Sequence, residues 1–467
     1  MNLDMIIVYA TLHIVTIITF FLAFFTIAHM LFSRKKPSHM IAWTVVIIAI
    51  PYIGVLIYLI FNGRKITKSV SKKKKVELQK IYEIDNGLDI PIERFLRRSN
   101  ITGATNTNEF YLCKNSVDAY EKIINALQNA QKCIYISTYI FGNDAITQKL
   151  LEILTQKAKE GVEVKLLFDA FGSLSLELFP KTLKALKKEG GEYKFFMSVL
   201  KHPIKNRLNF RNHRKMIIID NFTAISGGTN LSKEYLSADT NNATWRDLSF
   251  IINGTATLHY AEIFKYDWES QTEEELTIIE PEKKEVFKTK SIIQVVPSGP
   301  DVNNDALYES ILYALFLAQS RVWIVTPYFV PDGALMDALI IAKHRGVDIK
   351  LILPKTSDQT LADISRSGFL RDLQKEEIEI LFYKTNMLHA KAMLIDDEIA
   401  MIGSSNFDAR SFFYNFEVMS FLYSKEDIIE VEKWIETLFR DCDVGLKPAG
   451  KIRIVFENFF KMLSPAL

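Results

Sequence analysis

The chain is poor in cysteine: Cys113, Cys133 and Cys442 are the only three, far apart and without a Cys-x-x-Cys pair. That usage suggests neither a disulfide framework nor a cysteine zinc site. Net charge is nearly absent too, with 57 Lys and Arg against 55 Asp and Glu, formally +2. Such a balance lacks the electrostatic footprint of a nucleic-acid binder, and no nucleic-acid partner is expected. There is no Walker A loop, no Rossmann fingerprint and no His-Glu-x-x-His run, so neither a nucleotide nor a metal cofactor is implied. Activity should therefore survive chelation of divalent ions. At 467 residues the chain is long enough for two or three domains.

Charge is missing altogether from two early stretches. Residues 5–32 contain no Asp, Glu, Lys or Arg, and residues 40–61 form a second uncharged run of 22 residues. Each is long enough to cross ~30 Å of hydrocarbon as a helix. Together they read as a two-helix transmembrane hairpin, residues 1–65, joined by the short loop 33–39. A cleaved signal peptide is not favoured, because no basic residue precedes the first run and no small-residue cleavage site follows it. Both hairpin ends then lie on one side. The loop carries Arg34, Lys35 and Lys36, and the segment after the second run carries Arg64, Lys65, Lys68 and Lys72 to Lys75. The larger group places the rest of the chain in the cytoplasm, although the loop's own charges oppose this. Pro51 and Gly54 should kink the second helix. The lysine run reads either as a solvated linker or as a contact for anionic lipid head groups.

Beyond a basic lead-in, 66–108, the chain repeats itself. Apolar strand candidates at 133–144 and 321–332 are each followed by a helix candidate, a glycine and a second strand, at 158–168 and 342–353. Alternating strand and helix signals indicate an α/β fold with mixed sheets flanked by helices. The expected organisation is one domain at 109–269, a Glu- and Lys-rich linker at 270–290, and a second domain at 291–467, related by pseudo-twofold symmetry.

Each half then reaches the same motif. Residues 212–230 read NHRKMIIIDNFTAISGGTN and residues 388–406 read LHAKAMLIDDEIAMIGSSN. Both fit His-x-Lys, four residues, Asp, six residues, Gly, Gly or Ser, one residue, Asn. Given one histidine, the other five matches arise by chance at roughly one in a million on average composition, so a doubled match is a strong signal. A lone histidine on a strand is usually a satisfied core or surface residue; the repetition singles out His213 and His389. On a strand, His213 and Lys215 point to one face, as do His389 and Lys391. Apolar residues follow, then a turn at Asp220 or Asp396, whose side chain serves either the chemistry or the turn itself. The small residues after it let a phosphate approach the backbone, and Asn230 and Asn406 can donate hydrogen bonds to it.

Two imidazoles facing one phosphodiester suit a double displacement: one attacks phosphorus, and the other passes a proton to the leaving alkoxide and later takes one from the acceptor. Lys215 and Lys391 supply the positive charge for the phosphoryl oxygens. Each imidazole should have a carboxylate to fix its tautomer. Asp247, in TWRDLSF, and Glu417, in NFEVMSF, lie in apolar surroundings where an unpaired acid is costly; a buried salt bridge is the alternative role for either.

These residues resemble the phospholipase D superfamily and, more narrowly, the bacterial cardiolipin synthases of that type. The likeness covers nearly the whole chain: the apolar stretch 42–61, Tyr139-Ile-Phe, TWRD at 244–247, VPSGPD at 296–301, PYFVPD at 327–332, NFRNHRK at 209–215, and the run from His389 through NFEV at 415–418. It implies a membrane-embedded enzyme of the bacterial inner membrane whose partners are phosphatidylglycerol and anionic lipids. The reaction implied is transfer of a phosphatidyl group between two phosphatidylglycerol molecules with release of glycerol. By the same resemblance His213 is the nucleophile and His389 the acid and base, with the reverse order left open by the symmetry. Phosphatidylethanolamine as donor and simple hydrolysis are the alternatives; an oligomer is compatible with either. A non-catalytic membrane adaptor is disfavoured by the intact His, Lys and Asn in both copies. At the C-terminus Ile452, Val455, Phe456, Phe459, Phe460 and Leu463 share one helical face, which either packs on its own domain or lies in the lipid interface.

Overall fold

The computed structural model describes residues 3–32, 37–61, 90–198, 209–239, 244–281, 290–302 and 304–463. The basic stretches around Arg34 to Lys36 and Arg64 to Lys75, and part of the expected linker, lie outside the described residues.

The first apolar run is one unbroken helix, α1 (Leu3–Phe32). Its 22-residue portion Thr11–Phe32 is, among the described residues, the one helix long and apolar enough to cross a membrane. The second run is not one straight helix. It divides at Ile50 into α2 (Pro37–Ala49) and α3 (Pro51–Phe61), of 13 and 11 residues. Pro51 has no N–H, and its ring blocks the preceding turn. At Gly54 a Cβ would stand 2.9 Å from the Val46 carbonyl oxygen, so only glycine lets α3 close on α2. The two helices fold back on each other, with the rings of Trp43 and Tyr58 5.4 Å apart.

The remainder is built on a single 15-stranded sheet. Its first seven strands are β1 (Thr105–Leu112), β2 (Cys133–Thr138), β3 (Glu163–Asp169), β4 (Glu192–Phe196), β5 (Met216–Ile219), β6 (Thr223–Gly227) and β7 (Ser249–Gly254). The next eight are β8 (Ser291–Ser298), β9 (Arg321–Val325), β10 (Asp348–Pro354), β11 (Glu379–Tyr383), β12 (Ala392–Ile395), β13 (Ile399–Gly403), β14 (Glu417–Leu422) and β15 (Cys442–Val444). From β1 outward the order is β1-β7-β6-β5-β2-β3-β4, and from β8 outward it is β8-β14-β13-β12-β9-β10-β11, closed by β15. Antiparallel pairing of β1 with β8, Asn108 opposite Ser291, joins the halves into one sheet. Strands β5 and β12 are buried at every position, as strands covered on both faces must be.

One face of the sheet carries a core shared by both halves. Tyr260, Phe264 and Trp268 from helix Ala256–Gln271 belong to the same apolar cluster as Trp434 and Ile435 from helix Lys425–Phe439. The other face is covered separately in each half. The lead-in is structured at its end: helix Pro91–Arg98 buries Ile92 and Leu96 in the core of the second half. The start of the expected linker packs on the first half, where Glu274 accepts from Lys165 at 2.8 Å.

The C-terminal helix, Lys451–Leu463, packs the opposite way from a core-facing amphipathic helix. Its polar side is buried: Glu457, 3% exposed, pairs with Arg371 at 2.6 Å, and Lys461 pairs with Asp372. Its apolar face points away from the protein, with Ile452, Val455, Phe456 and Phe459 all exposed.

Candidate active site

Each motif places its histidine and lysine just ahead of a central strand, β5 or β12, and its aspartate just after it. Those four-residue strands separate the aspartates from the histidines, so Asp220 and Asp396 stand outside the cluster that His213, Lys215, His389 and Lys391 form. Asp220 accepts from the backbone N–H groups of Gln131, Lys132 and Cys133 at 2.9, 2.6 and 3.0 Å. Asp396 accepts from those of Gln319, Ser320 and Arg321 at 2.9, 2.8 and 2.9 Å. Both sit at positive φ, 53° and 49°, a conformation aspartate tolerates better than most residues. Each therefore ties the turn after one strand to the start of its neighbour. Their carboxylates are committed to the backbone.

The two halves meet through two short parallel bridges, Asn212 with Phe416 and Arg246 with Leu388. In the first, His213 N–H donates to the Phe416 carbonyl and Phe416 N–H to the Arg211 carbonyl, both at 2.9 Å. In the second, Arg246 N–H donates to the Met387 carbonyl at 2.7 Å and His389 N–H to the Arg246 carbonyl at 2.8 Å. Each bridge sets a histidine beside the carboxylate that follows in the other half. The pairs are therefore crossed. His213 Nδ1 lies 3.0 Å from both oxygens of Glu417, and His389 Nδ1 lies 2.6 Å from Asp247 Oδ2. A carboxylate at Nδ1 leaves the lone pair on Nε2, facing into the site.

The carboxylates are themselves held. Glu417 accepts from Ser404 Oγ at 2.6 Å and from Asn415 Nδ2 at 3.3 Å. Asp247 accepts from the Leu248 N–H at 2.8 Å. A Cβ on Gly228 would fall 2.2 Å from Asp247 Oδ1, so the second glycine of the first motif makes room for this carboxylate. Its counterpart in the second motif is Ser404, whose hydroxyl binds Glu417. The small residues thus fit the carboxylates, where the sequence had pointed to a phosphate.

Lys215 Nζ donates to the His213 carbonyl oxygen at 2.8 Å. Lys391 Nζ lies 2.8 and 3.1 Å from the two ring nitrogens of His389 and also donates to its carbonyl oxygen. Burial dominates the electrostatics. It pushes Lys215 down to about 7, with Lys391 adding to the effect and Glu417 opposing it. Lys391 falls to about 8 by burial, against the pull of Asp247 and Glu417. Both histidines drop to about 4, through burial and the nearby lysines, with Glu417 and Asp247 partly offsetting the drop. Burial alone would raise Asp247 and Glu417, yet the histidine and lysine each one faces hold both below the usual carboxylate range. At neutral pH the resting site thus holds two carboxylates, two ammonium groups that are partly titrated, and two neutral imidazoles. Each histidine feels the lysine of the other half, so the two motifs form one electrostatic unit.

Asn230 Oδ1 accepts from the Ile140 N–H at 3.2 Å, which fixes the amide beside the site. Asn406 is buried, with no hydrogen-bond partner on its Oδ1 among the described residues.

Several further residues shape the site. Tyr139 packs edge-on against His213, ring centres 5.0 Å apart. Tyr235 and Trp245 pack on His389 at 5.0 and 5.5 Å. Arg214, fully buried, points to the opposite face of its strand from His213. It pairs with Asp267 at 2.5 Å and Asp301 at 3.0 Å, and its Nε donates to the Glu417 carbonyl at 3.1 Å. Tyr139, Trp245 and Asp301 lie within stretches that carried the family resemblance. Tyr235 and the anchoring role of Arg214 had no sequence signal, because their partners are remote in the chain.

Two imidazoles, each backed by the other half's acid and flanked by a lysine, define phosphodiester-transfer enzymes of the phospholipase D type. Within that class the chain belongs to the cardiolipin synthase family: the family described as "Cardiolipin synthase, PLD-like domain" matches residues 123–268 and 311–439. A second, "Phospholipase_D-nuclease N-terminal", matches residues 21–62. A cardiolipin synthase of Clostridium perfringens is 32% identical over 93% of this chain and 95% of that protein. The major cardiolipin synthase ClsA of Bacillus subtilis is 31% identical over 93% of this chain and 95% of its own. Among solved structures, the phosphatidylserine synthase of Haemophilus influenzae shares the fold, with a TM-score of 0.62 at 15% identity, covering 81% of this chain and 100% of that one.

Proposed function

We propose that the protein transfers a phosphatidyl group from one phosphatidylglycerol to a hydroxyl of another, giving cardiolipin and glycerol. The observation that carries this reading is the crossed pairing, which gives one site two oriented imidazoles, each flanked by a lysine, in a chain with a membrane-length apolar helix. The matching strand orders of the halves support a pseudo-twofold arrangement, with the phosphodiester on the axis between the motifs.

His213 Nε2 attacks phosphorus, and the P–O bond to the glycerol head group breaks. His389 gives its proton to the departing glycerol oxygen, leaving a phosphatidyl-histidine. His389 then takes the proton from a hydroxyl of the second phosphatidylglycerol. That oxygen displaces His213 and restores the enzyme. Lys215, Lys391 and the amides of Asn230 and Asn406 bind the phosphoryl oxygens. Charge balance accounts for the acid. Two carboxylates and two ammonium groups cancel, so a bound phosphodiester monoanion leaves one uncompensated negative charge, which favours a proton on one imidazole.

The lysines give this reading a pH signature. Their lowered values mean that the empty site loses its cations as pH rises through about 7 to about 8. A bound phosphodiester raises both again. Turnover should therefore weaken above about pH 8 mainly through a rising KM, with kcat less affected. Initial rates against substrate concentration on either side of that pH check it; a falling kcat at constant KM would contradict the lysine role.

The protein acts at a membrane, and the apolar face of the helix Lys451–Leu463 lies in the lipid interface. Exposed Phe171, with the Arg211 guanidinium 5.9 Å from its ring centre, lies close to the chain segment that carries His213. The catalytic part is cytoplasmic. The test is to supply labelled phosphatidylglycerol in vesicles, with a divalent-ion chelator present, and identify products. Cardiolipin and glycerol are expected; phosphatidic acid alone would sink the transferase reading. In the same assay, a chain ending before Lys451 should lose most activity on vesicles; undiminished activity would remove the interfacial role.

A further inference from the structure

The packing of the three N-terminal helices fixes more than the presence of an anchor. Near the start of α3, Tyr52 OH donates to the Val15 carbonyl oxygen at 2.8 Å and receives the Thr19 hydroxyl at 2.6 Å. Towards the other end of α3, Tyr58 OH lies 2.9 Å from His29 Nδ1. As α3 advances from Tyr52 to Tyr58, its contacts on α1 advance from Val15 and Thr19 to His29, towards the C-terminal end of α1. The two helices thus run parallel, and α2, which leads down to the corner, runs antiparallel to both. Because α2 folds back along α3, the corner at Ile50 and Pro51 is the far point of the pair. It stands near the level of Val15 and Thr19, part-way along the apolar span Thr11–Phe32.

We propose that α2 and α3 form a re-entrant hairpin. It enters the bilayer from the side of the catalytic domains, contacts the acyl chains there, and leaves on the same side. The chain then crosses the membrane once, through α1, and the start of α1 lies on the opposite face. Lengths agree with this: the 13 residues of α2 reach about 20 Å at 1.5 Å per residue, short of ~30 Å of hydrocarbon.

The corner also pairs part of its backbone within the protein, as a bilayer requires of non-helical segments. Ile50 N–H donates to the Val46 carbonyl at 2.9 Å, Gly54 N–H donates to the Ile50 carbonyl at 2.6 Å, and Pro51 has no N–H to satisfy. Polar side chains turn inward onto α1, while Ile41, Ile48, Ile53, Leu56 and Leu59 face outward and are exposed.

The arrangement removes a conflict in the charges. A two-span hairpin separates Arg34, Lys35 and Lys36 from the larger basic group that begins at Arg64. The re-entrant path puts both groups on the catalytic side, the distribution that the positive-inside tendency favours. It also agrees with the contact between α2 and the C-terminal helix of the catalytic part.

The inference concerns the path of the chain and does not depend on which phosphodiester the enzyme uses. It is tested in intact cells making the full chain with either Asn2→Cys or Lys35→Cys, treated with a membrane-impermeant maleimide before or after permeabilisation. The re-entrant path predicts that Asn2→Cys is labelled in intact cells and that Lys35→Cys is labelled only after permeabilisation, each by at least about tenfold over the unsubstituted chain. The two-span hairpin predicts the reverse. Labelling of Lys35→Cys in intact cells, or protection of Asn2→Cys there, overturns the proposal. The native cysteines lie in the catalytic part, so the unsubstituted chain gives the background. Cardiolipin formation by each variant reports that it is folded, and an N-terminal epitope probed by antibody on intact cells gives the same answer without altering the loop.

Discussion

Replacing either His213 or His389 with alanine is expected to abolish cardiolipin formation, with the nucleophile variant losing about 10⁴-fold or more. A loss of 10⁴ corresponds to about 5.5 kcal/mol of transition-state stabilisation. Neither substitution should unfold the chain, because each shortens a side chain at the site and leaves its strand in place. The two variants should fail at different steps. A phosphodiester with a nitrophenolate leaving group needs no proton from the enzyme as it departs. With that substrate, the variant lacking the acid should still release about one equivalent of nitrophenolate and accumulate the covalent intermediate. The variant lacking the nucleophile should release none. The proposed roles therefore predict a burst from His389→Ala and none from His213→Ala. The opposite result would exchange the two roles while keeping the shared site. Near-normal turnover by either variant would end the shared-site reading altogether.

Much of this arrangement was legible in the chain, and what was not has physical causes. The doubled motif named both histidines and both lysines, because strand alternation makes a two-residue spacing mean one face. The same spacing left Asp220 and Asp396 ambiguous. Only their left-handed backbone and their contacts with the start of the neighbouring strand show that they brace turns. Asp247 and Glu417 were found by burial, since an acid in an apolar strand needs a partner. Which histidine each serves was hidden: the partners are 142 and 204 residues apart, and the pairing depends on bridges between halves. The sharpness of the bend in the second apolar run was hidden for a different reason. Hydropathy and length are identical for one straight helix and for two that fold back. The corner rests on a proline and on a glycine that only contact with α2 explains.

Exchanging Glu417 for glutamine, or Asp247 for asparagine, should lower turnover by about 10²- to 10⁴-fold although neither side chain touches the substrate. Each carboxylate now accepts a hydrogen bond from Nδ1–H and so keeps the Nε2 lone pair facing the phosphorus. An amide can present its NH₂ instead, which favours the other tautomer and removes the charge that stabilises an imidazolium. Stability should change far less. The carboxylates are fully buried, but so are the lysines that face them, and the low Lys215 and Lys391 values mean that one ammonium can discharge as one acid is removed. A purely structural role would give the reverse pattern: a large loss of thermal stability with turnover nearly preserved in the surviving folded protein. The crossing adds a sharper consequence. Because Glu417 serves the histidine of the first motif, Glu417→Gln should resemble His213→Ala in suppressing the nitrophenolate burst. Asp247→Asn should resemble His389→Ala and retain it. A burst that followed the motif in which each acid lies, and not the histidine it touches, would show that the contacts between the halves do not govern the chemistry.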